Sequence, residues 1–322
     1  MRLGFSLGSL LSIKEVLECS KMLSKHSPDS IWIPETWGME CSSVLSSVAQ
    51  IAKKPKIGSS IINIYSRTPS LVAMHAVTVD AVSNGRLILG LGTSSQAIVE
   101  DWHGLKFTQP VLRMREYVSI IRQIVSRKKV TYDGEFFHLR NFSLLVKPIR
   151  KEIPIYLAAI NQKMMDAAWE LGDGVIFYLR PIDEMKRTIT RMQNKRKIDV
   201  ACQLITCVSD DAEKARTRAK KTLAFYVSVG KIYREFLAAN GYRKETDEIF
   251  DEYKKSGLTE NYRHVSDSMA DSLTLCGTPN ELPKKLKQFV KVGVNLPILQ
   301  FNPVGNVTES FKLLVSTLRS EM

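Results

Sequence analysis

GRLILGLGTSSQAIVEDWHG, residues 85–104, decides between two folds. LILGLG is a strand-like apolar run that ends in glycines and leads into a helix start, which is how a dinucleotide-binding loop begins. That fingerprint needs G-x-G-x-x-G, the third glycine sitting where helix and strand pack closely. Gly90 and Gly92 are followed instead by Thr93, Ser94 and Ser95, so the third glycine is missing. The stretch also lies well inside the chain, away from a first strand. The other reading is a strand end at the mouth of a barrel, and the rest of the chain has to supply it.

Working outward from this stretch, short apolar runs alternate with helical periodicity from end to end, as repeated βα units around a parallel sheet do. Strands begin near residues 2, 31, 57, 87, 154, 174, 198 and 295. Eight such units predict an α/β chain closed into a (β/α)8 TIM barrel, with its site at the strands' C-terminal ends. Between the last two strands, residues 210–272 read as helical, which predicts an insertion after strand seven of a single barrel domain spanning 1–322. PSLVAMHAVTVDAVSNG, 69–85, has a proline at its helix start and an Asn-Gly stop. VLRMREYVSIIRQIVSR, 111–127, is a helix, and VTYDGEFFHL, 130–139, is a hairpin turned at Asp133-Gly134.

Composition narrows the partners. Lys plus Arg outnumber Asp plus Glu by 46 to 33, a net charge of +13. The basic runs at 53–56, 126–129, 194–197 and 214–221 fall mostly on helix ends and polar helix faces. They lack the interleaved aromatics of a nucleic-acid groove, so solvated helices are expected and no nucleic-acid partner. Five cysteines without a C-x-x-C pair argue against a disulfide framework and fit a cytoplasmic location. Five scattered histidines imply no metal site. No apolar run approaches the ~20 residues of a membrane span.

The strand ends hold Ser6, Glu35-Thr36-Trp37, Ser59-Ser60, Thr93-Ser94-Ser95, Ala158 to Asn161 and Phe177-Tyr178. The set has one carboxylate, several small or hydroxyl side chains, and no nucleophile-base-orienter trio. Such a set suits a cradle for a planar cofactor better than a hydrolytic site. Taken singly, each serine reads as a helix cap or turn residue. Trp37 and Trp102 read equally as rim or loop-packing residues, Met164, Met165 and Trp169 as core, and Arg67 as structural.

Several motifs in order along the chain carry a resemblance: N-x-Y-x-R-x-P at Asn63, Tyr65, Arg67 and Pro69; S-N-G-R-L-x-L-G-L-G at 83–92; A-I-V-E-D-W-H-G at 97–104; R-x-R-E-Y at 113–117; Y-D-G-E-F at 132–136; P-I-Y-L-A-A at 154–159; E-L-G-D-G-V at 170–175; and C-G-T-P at 276–279. Together they resemble the bacterial-luciferase-like flavin and deazaflavin oxidoreductases, in particular the coenzyme F420-dependent branch that includes methylenetetrahydromethanopterin reductase. The resemblance implies a barrel that forms a homodimer or higher homo-oligomer and seats a tricyclic ring at its mouth. It also implies a bulge after the third strand with a non-prolyl cis peptide at Ser60-Ile61. Ser60, Ile61 and Asn63 would then support one ring face, with Glu35 and Thr36 near the ring and Thr93 at its edge. The turn Ala159-Ile160-Asn161-Gln162 would receive the cofactor phosphate on backbone N–H groups, as a helix start is built to do.

Compared with those pterin reductases, the chain has Ser6 and Ser95 where they have a glutamate and an aspartate. A serine hydrogen-bonds a substrate but does not titrate near neutral pH. Ser6, Trp37 and Ser95 are therefore the expected substrate contacts, and Glu35 and Ser95 the expected catalytic ones. The function implied is an F420-dependent oxidoreductase exchanging a hydride with a small organic substrate. The alternatives are an FMN-dependent luciferase-like monooxygenase and a cofactor-binding barrel without catalysis.

Overall fold

The computed structural model describes residues 1–8, 10–126 and 129–322; Ser9 lies outside the described residues, as do Arg127 and Lys128 of the basic run and of the helix end read there. The strands are β1 (Gly4–Ser6), β2 (Ser30–Ile33), β3 (Lys56–Ser59), β4 (Ile62–Asn63), β5 (Leu87–Gly92), β6 (Val130–Asp133), β7 (His138–Phe142), β8 (Ile155–Ala158), β9 (Gly174–Tyr178), β10 (Asp199–Val208), β11 (Thr274–Gly277) and β12 (Leu296–Phe301). Parallel pairing runs β10-β12-β1-β2-β3-β5-β8-β9 and returns to β10, closing eight strands into a TIM barrel. All eight regions expected to be barrel strands are in this ring.

Helix boundaries follow local chemistry. Ser12 and Glu15 form a reciprocal capping box at the start of Ile13–Leu23. Thr68 caps Pro69–Val82, and that helix stops where Asn84 and Gly85 turn left-handed at φ 57° and 80°. Glu40 caps Cys41–Ile51 by accepting the Ser42 and Ser43 N–H groups at 2.7 and 2.9 Å. Partial burial raises its pKa, but those hydrogen bonds outweigh it and hold the carboxyl down to about 2.

One layer of side chains plugs the barrel's lower half. Trp32, Ile88, Tyr156, Ile176, Ala201, Leu296 and Ile298 pack together there. The Trp32 indole fits because its neighbours on both sides are glycines: a Cβ at Gly58 would lie 2.4 Å from the ring, and one at Gly4 2.9 Å from its nitrogen.

Above the plug, the wall breaks at the end of β3. Gly58 pairs with Ile88, and the next pair in the ladder is Ile62 with Leu91. β3 and β4 therefore spend one residue more than β5 over this interval, a bulge. The Ser59 hydroxyl fills the gap in the ladder, donating to the Gly90 carbonyl and accepting from the Gly90 N–H, both at 2.8 Å. The Ser60–Ile61 peptide is cis, as the resemblance implied. The bulge also explains the glycines of LILGLG. A Cβ on Gly90 would stand 1.8 Å from the Ser59 carbonyl oxygen, and one on Gly92 2.6 Å from the Ile61 side chain. Both glycines make room for the neighbouring strand.

The hairpin read at 130–139 forms, as β6 against β7. Its turn spans residues 134–137, whose loop N–H groups on Glu135 and Phe136 donate to the Glu116 carboxylate at 2.7 and 3.0 Å. Gly134 is needed because a Cβ there would lie 2.4 Å from that carboxylate.

The insertion after strand seven is helical, as expected, from Ala212–Val229 to Asp267–Leu273. It ends in β11, a strand not foreseen. β10 overshoots the barrel, so that Asp199–Gln203 pairs with β9 and Ile205–Val208 with β11 on the same edge. Ile205, Cys207 and Cys276 pack with Leu223, Val227 and Met269 into a second apolar cluster. The basic run 214–221 is partly paired, Lys220 with Asp267 at 2.7 Å and Arg216 with Asp271 at 3.4 Å.

Two outcomes follow. Gly90→Ala should destabilise the chain by about 3 kcal/mol or more, because the clash is with backbone, whereas Gly38→Ala, with open space around it, should leave denaturant unfolding unchanged. Glu40→Ala should cost about 1 kcal/mol near neutral pH. Because the folded-state pKa is depressed, that difference is full above the unfolded value of about 4.3 and shrinks as pH falls toward 2; urea melts of both proteins across that range would measure it.

Candidate functional site

Residues in register on adjacent parallel strands point to the same side, so the plug identifies what faces the barrel's upper interior. Ile298 is opposite Gln203 and Gly4, and Gln203 is opposite Tyr178. One interior step higher, Ser6 is opposite Gln300. From β3, β5 and β8 the corresponding positions are Ser60, Gly90 with Gly92, and Ala158. One half of the interior is thus lined by small residues, the other by Tyr178, Gln203 and Gln300.

Buried polar atoms without a partner collect here. They are the hydroxyls of Ser6, Ser60 and Tyr178, Nδ2 of Asn63 and Oε1 of Gln203, the remaining ones among the described residues being on Asp29, Arg113 and Trp169. A buried donor or acceptor left unpaired costs about 1–3 kcal/mol. Five of them at one end of a barrel fit a site completed by a polar ligand.

The loop after β2 is fixed by charge. Arg67 binds both oxygens of Glu35, Nη2 to Oε2 at 2.8 Å, and reaches Glu40 at 2.9 Å; the Cys41 N–H adds a third bond to Glu35 at 3.0 Å. The Tyr117 hydroxyl holds the Arg67 carbonyl at 3.0 Å. This agrees with a structural Arg67, and it commits the Glu35 carboxylate to its neighbours, which is the geometry of an anchor. Thr36 and Trp37, the next residues, are exposed at the rim.

Trp37 and Trp102 are 54% and 56% exposed and meet edge to face at 5.0 Å, with Trp37 also 6.0 Å from Phe225 of the insertion. Three separate segments, two after barrel strands and one on the first helix of the insertion, thus build an aromatic rim. Below it, Tyr178 contacts Tyr226 and Tyr233 edge-on at 5.1 and 5.7 Å.

After β5, Thr93 is half-buried, Ser94 is left-handed at φ 59°, and the Ser95 hydroxyl accepts the Ile98 N–H at 3.4 Å. Ser95 therefore acts as a turn cap, the reading each serine had singly. His103 is exposed. After β8, Ala159 and Ile160 lead to Asn161, whose side chain caps Gln162–Leu171 by accepting the Met164 N–H at 3.0 Å. Arg180, buried, donates to the Ile160 carbonyl at 2.5 Å and pairs with Glu184, while its guanidinium lies 4.7 and 4.6 Å from the Phe177 and Phe236 rings. It braces this turn against both barrel and insertion.

Ser6, Ser60 and Tyr178 thus share the interior, while Glu35, Thr36 and Trp37 stand on the rim loop. Gln203, Gln300 and Arg180 were not singled out from sequence. A signal existed for the glutamines: each interrupts an otherwise apolar strand, in DVACQLITCV and LPILQF.

Comparison with known proteins agrees with this architecture. A 5,10-methylenetetrahydromethanopterin reductase from Archaeoglobus fulgidus is 29% identical over 300 residues, covering 88% of each chain. Among solved structures, the coenzyme F420-dependent tetrahydromethanopterin reductase from Methanopyrus kandleri superposes with a TM-score of 0.86 at 22% identity, covering 97% of this chain and 96% of that one. An F420-dependent secondary alcohol dehydrogenase in complex with an F420-acetone adduct has a TM-score of 0.80 at 19% identity, covering 100% and 98%. At these identities the two structures establish the fold. The luciferase-like monooxygenase family model matches residues 2–296, nearly the whole chain. The motif resemblance is thereby borne out, and the chain belongs to the luciferase-like monooxygenase family.

Proposed function

We propose that this chain is a coenzyme F420-dependent oxidoreductase acting on a small organic molecule, in the manner of the methylenetetrahydromethanopterin reductases that it resembles over most of its length. The observation that carries this reading is the bulge at Ser60–Ile61, with the unpartnered Ser60 hydroxyl and Asn63 amide beside a floor of small residues. A flat heterocycle with polar edges fits such a surface. Ser60, Ile61 and Asn63 would support one face, Thr36 and Thr93 the edge, and the helix start at Ala159-Ile160-Asn161-Gln162 the phosphate. When bound, the deazaflavin supplies two-electron hydride chemistry.

The chain's own residues orient and enclose. Held by Arg67 and the Cys41 N–H, Glu35 positions the rim loop that carries Thr36 and Trp37. Ser95 fixes the turn after β5, and its hydroxyl, like that of Ser6, offers a hydrogen bond to a substrate. Trp37 screens the mouth from water. Barrel and insertion act as one domain, joined through β10. We extend the reading to a cytoplasmic homodimer, supported by the family resemblance and by five cysteines that are all buried and unpaired.

Parallel titrations with F420 and FMN, followed by absorbance, should give tighter binding of F420; tighter FMN binding would overturn the assignment. Asn161→Ala should weaken F420 roughly fivefold, the worth of one helix cap, and leave the affinity for the deazaflavin chromophore without its phosphate unchanged. Equal losses for both molecules would remove the phosphate from that turn.

A further inference from the structure

Two unlike halves make up the barrel's upper interior, and the half away from the bulge holds buried polar atoms without a geometric hydrogen-bond partner among the described residues. Gln203 on β10 stands four strands from Ser60 in the ring of eight, directly across the barrel. Gln203 and Gln300 are 9% and 8% exposed. The Gln203 amide nitrogen donates to Gln300 Oε1 at 3.4 Å, which leaves Gln203 Oε1 as a free acceptor. Beside it, the Tyr178 hydroxyl is buried without a partner. Burial pushes that phenol well above its ordinary range, helped by Tyr226 and opposed by Gln300, so near neutral pH it remains a hydroxyl able to donate. Edge contacts with Tyr226 and Tyr233 fix the ring, so the insertion sets where the hydroxyl points.

Charge is missing from this wall. The interior positions identified from the strand register are Ser6, Ser60, Gly90, Gly92, Ala158, Tyr178, Gln203 and Gln300. Arg180, the buried cation that follows Tyr178 in the chain, is committed to Glu184 and the Ile160 carbonyl. An anionic group entering here would be desolvated with no counter-ion, which costs far more than desolvating an amide.

We propose that Tyr178, Gln203 and Gln300 form the substrate-orienting wall of the site, and that it takes an uncharged group presenting a hydrogen-bond donor and an acceptor side by side, as a lactam or carboxamide does. The proposal rests on assigning the bulge half to the cofactor, since only then is the opposite half free for substrate. Tyr178 donates to the acceptor of the incoming group, and Gln203 Oε1 accepts from its donor. Each bond replaces an unpaired buried atom, so the ligand is recognised by what the wall lacks.

The test uses the full chain with isotope-labelled tyrosine. The Tyr178 resonance is assigned by its loss in Y178F, and two probes are titrated without cofactor: 2-pyrrolidone, an uncharged lactam, and propionate, an anion. The expected result is a saturable shift with 2-pyrrolidone, weakened at least about fivefold in Q203L, as loss of a neutral hydrogen bond implies, and no saturable shift with propionate. Both variants should keep their F420 affinity within about twofold, well below the effect of one lost hydrogen bond. The proposal is overturned if wild type shows no saturable response to 2-pyrrolidone or if propionate binds equally well. A roughly tenfold loss of F420 affinity, about 1.4 kcal/mol, in either variant would assign the wall to the cofactor and overturn it too. If wild type fails to bind F420, the cofactor assignment fails, and the 2-pyrrolidone result still decides whether the wall binds an uncharged amide.

Discussion

A single hydroxyl takes the place of the ladder hydrogen bonds that lapse at the bulge, and the shape of the barrel mouth depends on it. Ser59 gives and takes one hydrogen bond with the backbone of Gly90, where the β3 ladder would otherwise lapse. A buried backbone pair left open there would carry the full cost of two unsatisfied groups. With it closed, the chain can step inward at Ser60–Ile61, and the neighbouring strand accommodates the step only because Gly90 and Gly92 have no side chain. Serine, bulge and glycines are one device, spread over sequence positions about thirty residues apart.

The surroundings of that device are held by charge on one side and by aromatic packing on the other. Arg67 ties Glu35 and Glu40 together, so the loop after β2 is fixed by a guanidinium that reaches both carboxylates. Arg180 ties the turn after β8 to the insertion through two aromatic rings and a carbonyl. Both arginines are engaged within the protein, which leaves the barrel interior itself uncharged. The chemistry that such an interior favours depends on hydrogen bonds of neutral groups and on exclusion of water, where each bond is worth more than at the surface.

Most of the barrel was legible because its strands are apolar runs separated by amphipathic helices, a pattern carried by local sequence. The insertion was legible for the same reason. β11 was missed because four residues after a long helical stretch carry too little periodicity to stand out, and β4, with two, carries none. The seat at Ser60–Ile61 was legible only through resemblance, since nothing in IGSSIIN announces a bulge by itself. The role of Gly90 and Gly92 was not legible for a physical reason: a glycine reports that something comes close, and only the folded chain says what. The tie between Glu35 and Arg67 was not legible because the two lie thirty-two residues apart, and pairing at that range has no local trace. Gln203 and Gln300 left a visible trace, a polar residue in the middle of an apolar strand, which deserved more weight.

β10 bonds three neighbours, β12 along one edge and β9 then β11 along the other. One strand thus contributes Gln203 to the chamber and, a few residues later, the attachment point of the whole helical roof. Substitutions accumulating in the roof would change which molecules gain entry while leaving the opposite wall, where the bulge lies, untouched. A lineage built this way can acquire new chemistry by redrafting one long excursion of its chain, and the old seat goes on serving whatever enters.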